Sequence, residues 1–273
     1  LVQRGNEVTI LEHTHLHDAW RLREMGIAGR VKYIWKAIQD ATPGDMEDYV
    51  IHCAASSDVA HTRSSPRFAI DTSIQGTVNL LEACRSRGVK RVVVISSYSV
   101  YGRQEKQPID EVALPNPSTL YGAIKLGAEK IALSYVHEDV PIVALRLATL
   151  YGSWARATVP VAIFLRQALA GELITLTGDG EQKRDHNYID NAVPAILSAL
   201  DADAVGEVIN VGSGREVSML DLAIMCVKAA GRDKSLIHFA PPRRAEEGRL
   251  VLNIDQAKRL LKYEPLVQLE DGI

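Results

Sequence analysis

Tyr121 and Lys125 have the residue types and the spacing of a proton-transfer pair. On an α-helix, residues four positions apart lie about one turn apart on the same face. An isolated tyrosine titrates at about 10, and a neighbouring cation favours the phenolate and lowers that pKa. A pKa of about 7 requires roughly 4 kcal/mol of differential stabilisation, which a partly desolvated cleft can supply. The pair predicts a base that removes the proton of an alcohol, although the same spacing also occurs by chance on helix surfaces.

A serine-rich segment and a helix are the elements that must bring this chemistry together. Ser96, Ser97 and Ser99 come directly after the apolar residues 92–95, a run typical of a parallel strand that is buried on both faces. Residues 117–118 are predicted to start the helix that carries Tyr121. Apolar residues at helical spacing then give that helix one buried stripe.

Strands alternate with helices along the first half of the chain, which predicts a doubly wound parallel sheet. Strands are expected at residues 7–11, 49–55, 92–95 and 142–145, and Glu12 closes the first of them. We predict one domain over residues 1–152 and a smaller lobe over residues 153–273 that partly returns to the sheet. Such a lobe would cover the carboxyl ends of the strands, where these sheets bind ligands.

Composition excludes several classes of protein. The 273 residues are 47% hydrophobic and 24% charged, which is ordinary for a soluble globular protein. A net charge of -3 gives no electrostatic footprint for nucleic acid, and no apolar run is long enough for a membrane span. Three widely spaced cysteines favour a reduced, cytoplasmic setting. Helix-like segments at both termini lead us to expect that the chain is a fragment.

With these elements in this order, the chain resembles the extended short-chain dehydrogenase/reductases. Within them it is most similar to the NAD-dependent epimerase/dehydratase family, of which UDP-glucose 4-epimerase is the best-known type. The resemblance covers nearly the whole chain and rests on short motifs. Each motif alone is weak evidence for the family, but all of them in this order are strong evidence. They are residues 52–55, 76–83, 96–102, 121–125, 150–152, 178–180, 184–185 and 210–214.

The resemblance implies a Rossmann-like fold and a catalytic set. Tyr121 would take the proton from the sugar 4-hydroxyl while hydride leaves C4 for NAD. Lys125 would lower the pKa of Tyr121 and hydrogen-bond the nicotinamide ribose. Ser97 matches the family serine that binds the reacting oxygen. In an epimerase the 4-keto sugar then turns about its diphosphate and receives the hydride on its other face.

The resemblance also implies binding residues. Glu12 would bind the adenosine ribose and favour NAD over NADP; the alternative is a solvated charge at a strand end. The family's first strand and glycine-rich phosphate loop have no counterpart in the sequence, and we expect them before residue 1. The expected cofactor-binding residues are Glu12, Ala54, Ala55, Ser96, Tyr121 and Lys125. The expected substrate-binding residues are Ser97, Ser99, Thr149, Arg184 and Arg243, with the two arginines on the diphosphate or simply on the surface.

Some residues depart from the family pattern. Ser73 and Thr149 stand where the family usually has asparagine, and Ala37 stands where an aspartate often contacts the adenine. The related 4,6-dehydratases carry an Asp-Glu pair where this chain has Tyr98 and Ser99. Neither side chain can act as a carboxyl acid or base, so dehydration and decarboxylation are disfavoured.

We therefore predict an NAD-dependent nucleotide-sugar 4-epimerase acting on a UDP-linked hexose or uronic acid, and by resemblance a homodimer. The alternatives are an NAD(P)-dependent reductase or dehydrogenase, or a nucleotide-sugar dehydratase, of the same fold, and a non-catalytic nucleotide-binding regulatory protein. His13, His15 and His17 alternate and could chelate a metal if they lay on a strand. A solvated loop is the preferred interpretation, so no metal is predicted.

Overall fold

Thirteen short strands and ten α-helices make up the described part of the computed structural model, which comprises residues 1–56, 59–155, 157–242 and 248–273. The strands are β1 Thr9–Glu12, β2 Lys32–Trp35, β3 Tyr49–His52, β4 Arg91–Ser97, β5 Ile142–Leu147, β6 Thr149–Tyr151, β7 Ile174–Thr177, β8 Lys183–Arg184, β9 His186–Tyr188, β10 Val208–Val211, β11 Val217–Ser218, β12 Ile237–Ala240 and β13 Arg249–Leu250. The helices are α1 Trp20–Glu24, α2 Val59–Ser64, α3 Pro66–Ile70, α4 Gly76–Arg87, α5 Leu120–Ser134, α6 Pro160–Ala170, α7 Ile189–Asp201, α8 Met219–Ala229, α9 Asp255–Leu261 and α10 Leu269–Gly272. No helix in the described ranges is long and apolar enough to span a membrane.

A four-stranded parallel sheet in the order β10-β5-β4-β3 forms the centre of the fold. Every residue of β5 is buried, and Val92, Val93 and Val94 of β4 are almost fully buried. Helices cover both faces of such a sheet, which explains the continuous apolar runs of these strands. The predicted α/β fold with a parallel, Rossmann-like sheet is confirmed.

A second parallel pair, β1 with β2, lies beside this sheet. Leu11 of β1 packs against the apolar cluster that contains Val92 and Val94 of β4. The Thr9 hydroxyl donates a hydrogen bond of 2.6 Å to the Glu47 carboxylate, just before β3. Within the described ranges β1 and β3 belong to different sheets and share no ladder hydrogen bonds. All four β1 residues are only partly buried, in contrast to those of β5.

The helix that carries Tyr121 begins later than the sequence suggested. The predicted start at residues 117–118 is wrong by two to three positions, because Thr119 is the N-cap of α5 and its side chain accepts a hydrogen bond from the Gly122 N–H. A threonine at this position satisfies one of the four free N–H groups at the helix start. The helix then packs on β4 and β5.

The second half of the chain contributes to two different cores. Part of α7, α9 and β10 packs in the same cluster as Val93 and Leu145 of the central sheet. The helices α6 and α8 and the strand β7 instead surround a separate cluster that includes Phe164 and Leu222. This arrangement is compatible with a lobe that partly returns to the sheet. The boundary between residues 152 and 153 stays a prediction.

Candidate active site

The carboxyl end of β4 places two serines side by side. Ser96 and Ser97 are the last residues of the strand and are both buried. The Ser97 hydroxyl accepts a hydrogen bond of 3.2 Å from the Ser99 N–H, which turns the chain into the 3₁₀ turn Tyr98–Val100. Ser97 therefore lies where parallel sheets of this kind bind ligands, at the end of a central strand.

A close approach of α5 to this turn brings Tyr121 to the same end of the sheet. A Cβ atom at Gly122 would lie only 2.4 Å from the Ser99 carbonyl oxygen, so the contact requires glycine. Tyr121, the residue before Gly122, is partly buried there. The first turn of the helix, which includes Tyr121, thus lies against the turn that follows Ser97.

Lys125 is buried one turn further along the same helix. Only 9% of the residue is exposed, and its Nζ donates a hydrogen bond of 2.8 Å to the Ile95 carbonyl oxygen of β4. Burial lowers the pKa of the Lys125 ammonium from 10.5 to about 8, and its electrostatic interaction with Cys53 opposes part of that fall. The ammonium is therefore still mainly charged at neutral pH and lies in a poorly solvated place, where its effect on neighbouring acids is large.

A buried ion pair lies behind this ammonium. Glu129, one turn after Lys125, receives two hydrogen bonds from Arg146, of 2.6 and 3.0 Å, and both side chains are at most 2% exposed. The Ser96 hydroxyl donates to the same carboxylate at 2.6 Å. The Arg146 guanidinium also lies 4.6 Å from the centre of the Tyr101 ring. These contacts fix α5 against β4 and β5, and they hold the Ser96 side chain against Glu129.

A small open pocket beside Ser96, Lys125 and Glu129 reaches the end of β3. His52 of β3 is hydrogen bonded to the Thr77 hydroxyl at 2.8 Å, and burial together with the Lys125 charge lowers its pKa to about 3. This imidazole is therefore neutral and structural. The lining residues are His52, Ala54, Ala55, Ser73, Thr77, Val94, Ile95, Ser96, Lys125, Ala128 and Glu129.

Four of the residues expected to bind cofactor, Ala54, Ala55, Ser96 and Lys125, line this one pocket. The sequence reasoning missed Glu129 and Arg146. The signal for Glu129 was its position four residues after Lys125, which continues the same face of the helix.

Glu12 lies at the carboxyl end of β1 and ties down the loop that follows. Its carboxylate accepts hydrogen bonds from the N–H groups of His13 and Thr14, at 2.8 and 3.2 Å, and pairs with the His13 imidazole at 2.6 Å. His13 and His17 are exposed, and His15 caps a short turn instead of lying on a strand. The shared strand face that metal chelation required does not form.

The substrate side of the site shows an unexpected contact. The Tyr98 hydroxyl lies 2.6 Å from the Thr149 hydroxyl, so two residues that depart from the family pattern bond to each other. Arg184 is partly buried, and its guanidinium donates to the Lys183 carbonyl oxygen at 2.9 Å. Arg243 lies outside the described residues. The binding and catalytic roles of the predicted residues stay predictions.

The parallel, Rossmann-like sheet is the fold of a class of dinucleotide-dependent enzymes. The model of the NAD dependent epimerase/dehydratase family matches residues 1–212, and the chain belongs to that family. The expected family is therefore confirmed.

Known relatives agree with this assignment. A Bacillus subtilis protein described as an uncharacterized UDP-glucose epimerase is 34% identical over 203 residues, which are 74% of this chain but only 64% of that relative. UDP-glucuronate 4-epimerase of Thermodesulfobacterium geofontis is 29% identical over 261 residues, 93% of this chain and 80% of the relative. The solved UDP-glucuronic acid 4-epimerase of Bacillus cereus, in complex with UDP-glucuronic acid and NAD, superposes with a TM-score of 0.88 at 30% identity, covering 98% of this chain and 89% of that chain.

Proposed function

We propose that this protein is an NAD-dependent nucleotide-sugar 4-epimerase that acts on a UDP-linked hexose or uronic acid. The observation that carries the proposal is the close approach of α5, the helix of Tyr121 and Lys125, to the carboxyl end of β4, the strand that ends at Ser97; Tyr98 and Ser99 stand there in place of carboxylates. The similarity to UDP-glucose and UDP-glucuronate epimerases supports the substrate class.

The residues of the pocket fit the nicotinamide end of a dinucleotide. Ala54 and Ala55 present small side chains to the pocket beside β3. The Lys125 ammonium has three N–H donors, of which the described contact with the Ile95 carbonyl uses one, so it can also hydrogen-bond ribose hydroxyls. Glu12 is placed at the end of β1, where an acid binds the adenosine ribose. When bound, NAD would accept a hydride from the sugar C4 and return it.

Proton transfer is the task of this chain's own residues. Tyr121, as a phenolate stabilised by the Lys125 charge, removes the proton from the 4-hydroxyl as the carbonyl forms at C4. The Ser97 hydroxyl hydrogen-bonds the same oxygen and holds it in line with the phenol. In the second half of the reaction Tyr121 returns the proton to the oxygen of the 4-keto sugar.

Epimerisation further requires that the sugar turns while its nucleotide stays bound. Arg184, with Arg243, would hold the diphosphate, since the planar guanidinium pairs with two phosphate oxygens at once. Elimination at C6, as in a dehydratase, needs a carboxyl acid and base. The paired hydroxyls of Tyr98 and Thr149 cannot supply them.

The test is an assay of the product of the complete gene that encodes this chain. The purified protein is incubated with UDP-glucose, UDP-galactose and UDP-glucuronate, and the nucleotide sugars are separated. We expect one of these substrates to be converted to its C4 epimer without net consumption of NAD. Stoichiometric consumption of a dissociable nicotinamide would point to a reductase instead. Bound NAD with no conversion of any nucleotide sugar would reject the epimerase proposal.

A homodimer formed through α4 and α5 and a cytoplasmic setting belong to the same proposal and rest on the resemblance alone. Light scattering on the purified protein measures its oligomeric state. A monomer at assay concentrations would contradict the homodimer but would not affect the proposed chemistry of the site.

A further inference from the structure

Two hydroxyl groups from separate strand ends meet close to the serine that is expected to bind the reacting oxygen. Tyr98 follows Ser97 directly at the carboxyl end of β4, and Thr149 begins β6, just after β5. Ser97 and Leu147 are partners in the parallel ladder of β4 and β5, so Tyr98 and Thr149 lie just past the same edge of the sheet. Their hydroxyl oxygens are 2.6 Å apart. The pair is therefore next to Ser97 both along the chain and across the ladder.

The two residues of this pair differ in their accessibility. Tyr98 is only 8% exposed and belongs to the apolar cluster that contains Leu147 and Ala148. Thr149 is partly exposed, and its backbone is fixed because its N–H donates a hydrogen bond of 3.1 Å to the Asp185 carbonyl oxygen. A buried phenol thus supports a threonine that is still accessible from solvent.

The number of hydroxyl hydrogens determines what the pair can offer to a ligand. Each hydroxyl has one hydrogen and can both donate and accept, and only one of the two hydrogens lies between the two oxygens. A phenol is a stronger acid than an aliphatic alcohol and therefore the better donor, so we assign the donor role to Tyr98. The hydrogen of the Thr149 hydroxyl is then available, in a fixed direction, for an acceptor oxygen of a ligand.

We propose that Tyr98 is a positioning residue that directs the Thr149 hydroxyl toward a sugar oxygen of the bound nucleotide sugar. This role rests on the proposed function, in which the Ser97 hydroxyl bonds the C4 oxygen of the sugar. Because Thr149 lies beside Ser97, its ligand is the sugar and not the nucleotide. Both residues of the pair depart from the family pattern, so the resemblance does not imply this contact. Tyr98 acts on the substrate only through Thr149.

Loss of either hydroxyl should weaken the binding of the nucleotide sugar and leave the binding of UDP unchanged. Affinities are measured by calorimetry on the product of the complete gene in a Tyr121→Phe background, which prevents turnover. The ligands are UDP and whichever of UDP-glucose, UDP-galactose and UDP-glucuronate binds most tightly. We expect Tyr98→Phe and Thr149→Val to raise the Kd of the nucleotide sugar by about five- to tenfold, the effect of one lost hydrogen bond. Tyr135→Phe, which removes a phenol hydroxyl from the far end of α5, is the control and should change neither Kd.

The double variant separates a positioning role from a purely structural one. Since Tyr98 acts through Thr149, adding Tyr98→Phe to Thr149→Val should weaken the binding of the nucleotide sugar no further. With Tyr121 restored, both single variants should raise KM and leave kcat within about twofold of the wild type, because the lost contact is made equally in the ground state and the transition state.

Three results would overturn the positioning role and leave the epimerase proposal standing. They are unchanged affinity in both single variants, equal losses for UDP and the nucleotide sugar, and additive losses in the double variant. Binding of a nucleotide sugar without any conversion by the wild type would reject the epimerase proposal, and the same affinities would still decide the role of Tyr98. A wild type that bound no nucleotide sugar would refute both proposals.

Discussion

Replacement of Lys125 by methionine should make the protein more stable at neutral pH while removing its activity. The ammonium is 9% exposed, and its one described hydrogen bond goes to the Ile95 carbonyl oxygen. A charged group in such a place stabilises a phenolate next to it, but the fold bears the cost of its desolvation. Methionine has a similar length and carries no charge, so Lys125→Met removes that cost without opening a large cavity.

The pKa of Lys125 gives the size of the effect. Burial lowers this pKa from 10.5 to about 8. At 1.36 kcal/mol per pKa unit, this difference corresponds to roughly 3 kcal/mol of destabilisation when the group is charged. Loss of the hydrogen bond to Ile95 offsets about 1 kcal/mol of the gain. The variant should therefore unfold with a free energy about 2 kcal/mol higher than the wild type at pH 7.

The pH dependence has a definite sign. The folded pKa lies below the unfolded one, so the cost is fully present below pH 8 and disappears as the pH rises to 10.5. Urea unfolding of both proteins from pH 7 to pH 10 should show the advantage of Lys125→Met shrinking over that interval. Lys130→Met, at an exposed position of the same helix, is the matched control and should leave stability nearly unchanged. If the free energies of unfolding of Lys125→Met and the wild type changed in parallel with pH, Lys125 would not be a charged and desolvated group in the folded protein.

Three further perturbations test the surroundings of the site. Glu129→Gln should lower the free energy of unfolding by about 3 to 5 kcal/mol, because it leaves the buried Arg146 charge uncompensated. A loss below about 1 kcal/mol in urea unfolding would contradict this prediction. Gly122→Ala places a Cβ 2.4 Å from the Ser99 carbonyl and should lower kcat by about 10²-fold through misplacement of Tyr121, so a wild-type kcat would show that the close approach is not needed. His186→Phe should raise stability by about 1 to 3 kcal/mol, since neither ring nitrogen of this buried histidine has a hydrogen-bond partner in the described structure. Because burial lowers the pKa of His186 to about 4, the wild type should lose stability below pH 6.5 more steeply than this variant in thermal unfolding, and equal slopes would argue against a neutral ring.

The sequence predicted well those parts of the fold that depend on local patterns of apolar residues and glycine. The apolar run at residues 92–95 lies in β4, and helices lie where apolar residues recur at helical spacing before a glycine, as in α4 with Gly88 in the left-handed region. These signals depend on neighbours within one or two turns. The start of α5 was misplaced because proline at 117 is a weaker boundary than the Thr119 cap, whose hydrogen bond is visible only in the structure.

The contacts that the sequence did not predict depend on register between distant segments. Ser96 and Arg146 are partners in the parallel ladder of β4 and β5, and this register brings Arg146 to Glu129. Nothing within either strand specifies it. The contact of Trp20 with Trp154 likewise joins segments far apart in the chain. Spacing alone found Tyr121 and Lys125 because both lie on one helix.

The most direct test of the central claim compares Tyr121→Phe with the wild type in the conversion of UDP-glucuronate to its C4 epimer, with bound NAD measured in the same samples. Loss of a general acid–base group should slow the reaction by about 10² to 10⁴-fold per molecule of bound NAD, so that the loss exceeds any fall in NAD content caused by the missing hydroxyl. Tyr135→Phe removes a phenol at the far end of the same helix, where it bonds Glu82, and should convert substrate at the wild-type rate. Undiminished conversion by Tyr121→Phe would contradict the role given to this hydroxyl, and with it the proposed mechanism.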